Sequence, residues 1–255
     1  MSTYYETGHS KNVANLEDLI SYCVGYGATY NPSKTSIKIA GLTTLLATSK
    51  SNIQAVNTTL TAFHNSTNAR EIAFEPLRPL GTKILNALLA SGASDQTIND
   101  FKTLNRKVQG KRAGSKLTKA DSGKTAKTID PNAPVVDTPK TISSAQLSYS
   151  SLIEHIATII TILSTEPTYL PNENDLKIAT LIAKQADMTA KNTALATAYT
   201  AVSNSRINRD KVLYKETTGL VPIATDVKKY IKAVFGASSA EYRQVKSIEF
   251  TKPRK

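Results

Sequence analysis

The chain has 255 residues, a formal net charge of +12, 40% hydrophobic residues, only 6% aromatic residues and no Trp. That length exceeds one ordinary domain and suggests two of roughly 100–130 residues. The Ala-, Thr-, Ile- and Leu-rich mixture suits helices packed through small side chains better than a large aromatic-lined substrate cavity. The single Cys23 excludes an intramolecular disulfide framework.

The opening stretch MSTYYETGHSKN has neither a basic nor an apolar signal region, so no secretory leader is expected. Nothing approaches ~18 consecutive apolar residues, so no integral membrane association is expected and a cytoplasmic protein is the default.

After a polar segment, 1–14, the spacing of Leu16, Leu19 and Cys23 predicts a first helix. Pro32 and Ser33 read as the start of a second. Along it Ile39, Leu42, Leu46, Ser49, Ile53, Val56, Leu60 and Phe63 alternate spacings of three and four, the pattern of a seam in a bundle or coiled coil. The helix is expected over 33–64; the run Asn65-Ser66-Thr67-Asn68 is where it could bend or end before Phe74. Leu77, Leu80, Ile84 and Ala87 mark another helix, Gly92 sits where a C-cap belongs, and a short closing helix is expected over 95–104.

The segment 105–146 is rich in Lys, Gly, Ser, Thr and Pro and poor in large apolar side chains, the composition of a flexible basic linker. Beyond it the same helices recur. Leu152, Ile156, Ile159 and Leu163 mark the first, and Pro171 and Asn172 open the long one. Ile178, Leu181, Gln185, Met188, Asn192, Leu195, Tyr199 and Val202 form its seam. Leu220, Ile223, Val227, Tyr230 and Val234 mark the next, Gly236 caps it, and 239–248 closes the chain before a basic tail, 249–255.

The recurrence is also a sequence identity. Setting residue 30 on residue 169 and holding that offset from Tyr30 to Phe74 gives fourteen identities in forty-five positions, among them Tyr30/Tyr169, Pro32/Pro171, Asn65/Asn204 and Arg70/Arg209. Later, GASDQTINDFKTL (92–104) matches GASSAEYRQVKSI (236–248). The expected fold is therefore all-α, two tandem homologous helical-bundle units, 15–104 and 147–248, each closing its own core.

Candidate sites are few. The cations Arg106, Lys107, Lys111, Arg112, Lys116, Lys119, Lys124 and Lys127 form the sharpest, since flexible positive charge neutralises phosphates and releases counterions. The competing reading is a linker kept extended by its charge. No aromatic is interleaved among them, so base stacking is not expected.

Ser122-Gly123-Lys124-Thr125 lacks the first glycine of a phosphate loop, because that position is Thr118, and no strand precedes it. His9, His64 and His155 stand far apart in sequence without metal-ligand spacing. Cys23 reads as a small buried side chain, Gln185 and Asn192 as seam residues that fix register, and the tyrosines as core aromatics with hydroxyls reaching solvent. Lys228, Lys229, Lys232, Arg243, Lys252, Arg254 and Lys255 make a basic face and tail. No residues can be assigned acid, base, nucleophile, cofactor or metal roles.

The segments KNTA (191–194), SNSRINRDKVLY (203–214) and VKKYIKAVFGAS (227–238) resemble a family of uncharacterised all-helical proteins associated with Bacteroidota. The resemblance covers about 80 residues of the second copy and implies a helical fold, with no activity or site residue to transfer. Together these readings lead to a non-enzymatic structural or interaction module with an unknown protein partner. Sequence-independent binding of nucleic acid or another polyanion is the alternative, and pairing between copies of the chain is left open.

Overall fold

A computed structural model describes residues 8–111 and 147–252. Among them there are eight α-helices and no strand. The first half holds α1 (His9–Gly25), α2 (Ile39–Phe74), α3 (Leu77–Ala90) and α4 (Asp95–Gln109), and the second holds α5 (Tyr149–Thr165), α6 (Ile178–Tyr214), α7 (Leu220–Phe235) and α8 (Ala240–Lys246).

The polar run at Asn65–Asn68 does not end α2. It has 36 residues, and its counterpart α6 has 37. Short polar side chains are absorbed there by bonding back one turn, as Ser66 does to the Ala62 carbonyl and Thr67 to the Phe63 carbonyl. The starts come later than Pro32 and Pro171 suggest. The Tyr30 hydroxyl donates to the Ile37 carbonyl at 2.6 Å, and the Tyr169 hydroxyl to the Leu176 carbonyl at 3.0 Å. Both close a seven-residue loop that precedes the helix and buries Ile37 and Leu176.

Within the described residues the chain divides into two compact units. One is drawn from Met1–Thr67 and Leu195–Lys255, the other from Asn68–Ala194. These are not the bundles 15–104 and 147–248 expected from the repeat, because both divisions fall inside the long helices. In the first unit Leu16, Leu19 and Cys23 of α1 share a core with Leu220, Ile223, Val227 and Ile231 of α7 and Val245 of α8. In the second, Ile156, Ile159 and Leu163 of α5 share one with Leu80, Ile84 and Leu88 of α3 and Phe101 of α4.

The first helix of each half is thus buried by the last helices of the other. Each long helix, 36 residues in α2 and 37 in α6, gives its first part to one unit and its last part to the other.

The contacts repeat position by position. The buried set Leu77, Leu80, Gly81, Ile84 and Leu88 of α3 has the spacing of Leu220, Ile223, Ala224, Val227 and Ile231 of α7. Each helix carries a proline at its third residue, Pro79 and Pro222, where no intrahelical donor is lost. On the surface the loop cation Lys34 meets Asp226 of α7 at 2.7 Å, and the loop anion Asp175 meets Lys83 of α3 at 3.0 Å. The ammonium partners hold both carboxyls below the usual carboxylate range. Lys83 and Asp226 occupy matching positions with the charges reversed.

Three other boundaries move. His9, Asn12 and Val13 are buried in α1, so most of the polar segment 1–14 that is described is helix. In α4 the helix runs through 105–109, burying Asn105 and Val108, so these residues are not linker. At the other end α8 is only seven residues long, and Phe250 of the tail packs against the first core.

The matched tyrosines give a direct check. Tyr30→Phe and Tyr169→Phe each leave a loop carbonyl without its buried donor, so each should cost about 1–2 kcal/mol. Urea denaturation followed by circular dichroism would show it, and a loss at only one of the two sites would mean that the loops are not equivalent.

Candidate functional site

The basic candidates separate into two groups. Arg106 and Lys107 lie in the last turn of α4, where cations oppose the helix dipole. Gly110 ends that helix in the left-handed region (φ 69°), its N–H donating to the Lys107 carbonyl and that of exposed Lys111 to the Arg106 carbonyl. These three cations therefore cluster at one helix end. Arg112, Lys116, Lys119, Lys124 and Lys127 lie outside the described residues, as does the Ser122–Thr125 stretch. A Cβ at Gly110 would stand 3.0 Å from Leu147 Cδ1, so the two flanks of the segment 112–146 touch.

In the second half the basic face is largely engaged by the fold. Lys228 donates to the carbonyls of Lys246 and Ile248 and stands 5.7 Å from the Phe250 ring, and its burial lowers its ammonium pKa. Lys232 lies 5.8 Å over Tyr242, Lys229 pairs with Asp226 at 3.7 Å, and Arg243 Nε donates to the Ser239 carbonyl. Lys252 is exposed, while Arg254 and Lys255 lie outside the described residues.

A polar cluster that the sequence reading did not single out is buried where α1 meets the end of α6. The His9 Nδ1 and Tyr214 hydroxyl are 2.6 Å apart, and Asn12 Nδ2 reaches that hydroxyl at 3.4 Å. Asn12 also grips the tail: Nδ2 donates to the Thr251 carbonyl at 2.8 Å, and Oδ1 accepts from the Thr251 N–H at 3.0 Å. Nearby Arg209, 1% exposed, binds Asp210 through Nε at 3.0 Å and Nη2 at 2.9 Å.

In the second unit the equivalent Arg70 lies 3.7 Å over the Tyr149 ring and reaches Asn192 Oδ1 at 3.4 Å. The Arg70/Arg209 identity was the available signal; its meaning was hidden because an arginine on a long helix is ordinarily solvated. Desolvation raises the Tyr214 pKa. These groups anchor helices and tail.

Cys23 is buried, and desolvation pushes its thiol up to about 11, far from the thiolate that nucleophilic or metal chemistry needs. Of the tyrosines, Tyr26, Tyr30, Tyr169 and Tyr214 direct their hydroxyls to protein partners. Tyr199 departs from the seam and is 61% exposed, its ring 6.0 Å from Phe63. His64 is exposed, whereas His9 and His155 are buried. Among the described residues no three His, Cys, Asp or Glu converge as a metal site, and no helix is long and apolar enough to cross a membrane.

Two grooves open on the second unit. One, of about 440 Å³, lies between the end of α3 and the loop at 168–176 and is lined by Ala87, Ser91, Thr168, Leu170 and Glu173 among others. The other, of about 430 Å³, is more apolar. Its lining includes Ile72 and Ala73 from the end of α2, Leu77 and Leu80 from α3, Ile156 from α5, and Leu181 and Met188 from α6, with Lys184 and Asp187 on the polar side. Ile72 is 67% exposed there. The offset that aligns the halves puts Val212 at the position of Ala73 and Leu45 at that of Lys184, so the first unit has a larger apolar side chain at one place and an apolar side chain for a charged one at the other. No known protein family, curated protein or solved structure matches the chain.

Proposed function

We propose that the protein is a non-enzymatic interaction module, a tandem duplication of one helical unit that uses the second unit's apolar groove to hold a protein partner. The observation that carries this reading is the groove of Ile72, Ala73, Leu80 and Met188. It sets the exposed β-branched side chain of Ile72 at the edge of a core that includes Leu80 and Met188, a surface that an apolar helix face of a partner fits. The buried polar groups around Asn12, Tyr30 and Tyr169 hold backbone and tail, which supports a scaffold over a reaction centre. The cytoplasmic location and the kinship with Bacteroidota helical proteins belong to the same proposal.

The groove reading is tested with Ile72→Asp, a change at an exposed position that should leave helical content unaltered. Protein partners co-purifying with the wild type at low salt should be lost from the variant. Retention of the same partners would remove the groove from the account.

A second reading, polyanion binding, is favoured by one observation. The end of α4 touches the start of α5 through Gly110 and Leu147, so a turn of a few residues would join them. The chain instead inserts 112–146, which with Arg106, Lys107 and Lys111 completes the set of eight cations. Replacing all eight with Gln should flatten the salt dependence of binding to labelled duplex and single-stranded DNA, since each neutralised phosphate releases condensed counterion. Equal binding by wild type and variant at two salt concentrations would exclude the segment.

A further inference from the structure

We infer that the interface joining the two sequence halves also forms between chains, the partner being a second copy of this protein. In that assembly residues 8–111 of each chain pair with residues 147–252 of the other. The inference rests on the contacts alone and stands whether or not the groove binds a partner.

The apolar face of α1 is completed by α7 and α8, and that of α5 by α3 and α4, so each half presents a surface whose complement lies on the other half. Fully buried side chains line both: Leu16 and Leu19 with Leu220 and Val227, Ile84 and Leu88 with Leu163. Polar contacts mark the same pairings. Lys34 bonds Asp226, Asn12 clamps Thr251 and Tyr26 donates to the Glu241 carbonyl in one unit, and Lys83 bonds Asp175 in the other. None of these contacts requires that the two halves belong to one polypeptide.

A fold whose halves complete each other across one connecting segment can exchange those halves, giving a closed dimer with the same contacts as the monomer. A covalent tether gives the two halves of one chain an effective concentration on the order of millimolar, so pairing within one chain wins when the protein is dilute. Exchange becomes competitive when folding takes place near that concentration.

The test uses the full chain carrying Lys34→Cys and Asp226→Cys, two exposed positions whose wild-type side chains pair at 2.7 Å. Cys23 is buried and does not compete for reagent in the folded protein. The variant and the wild type are refolded from denaturant at micromolar and near-millimolar concentrations. Mass is then read by light scattering, and the variant is treated with a short bifunctional maleimide. At low concentration both should have the 27.5 kDa mass of one chain. At high concentration a species of twice that mass should appear in both, and in the variant its crosslink should join two chains on a denaturing gel. Refolding that yields only the single-chain mass at every concentration overturns the inference, as does a dimer whose crosslinks stay within single chains.

Discussion

An unbroken helix cannot bring its own ends together, and the rest of this structure follows from that constraint. The helix α2 has 36 residues and α6 has 37, and each passes from one unit into the other. Of its own successors, the first helix of each half shares a core only with the loop and the long helix that follow it. It carries a face of fully buried aliphatics, Leu16 and Leu19 in one half and Ile156 and Ile159 in the other, and each such side chain is worth about 1.5–3 kcal/mol when removed from water. Cover comes from the helices that end the other half.

Given this exchange, the polar residues have a common task. Tyr30 and Tyr169 hold the loops that precede α2 and α6, Asn12 and Asn15 hold the tail along α1, and Lys228 holds the end of α8. In the second unit Gln109 Nε2 donates to the Arg78 carbonyl at 2.8 Å, joining α4 to α3. Each case is a side-chain donor on a main-chain carbonyl, the arrangement that fixes where an irregular stretch crosses a helix. Among the described residues, the small apolar groove and the cations around the 106–111 end of α4 take no part in that task.

Much of the fold can be read in the sequence, because helical periodicity and capping are local properties. The apolar spacings of Leu16, Leu19 and Cys23 and of Leu220, Ile223 and Val227 locate helices and their buried faces correctly. Which face covers which is not local. The repeat suggested that each copy closes on itself, but α2 persists through Asn65–Asn68; the serine and threonine there read as breakers until their bonds to the preceding turn are seen. The same limit applies to the sites. Lys228 and Arg209 look like solvated cations in sequence, yet one is a donor to the ends of α8 and the other is buried beside Asp210. The groove was illegible because it arises where Ala73 and Met188, remote in sequence, leave space unfilled.

Hydrogen exchange on the full-length protein carrying Leu19→Asp tests the exchanged arrangement most directly. The substitution places a charge among fully buried aliphatics of α1 and should destabilise its surroundings by several kcal/mol. If α1 is covered by the other half, amide protection should fall in α7 and α8 while α3 and α4 keep theirs. Loss of protection in α3 and α4, with α7 and α8 unchanged, would mean that each half closes its own core and would contradict the account.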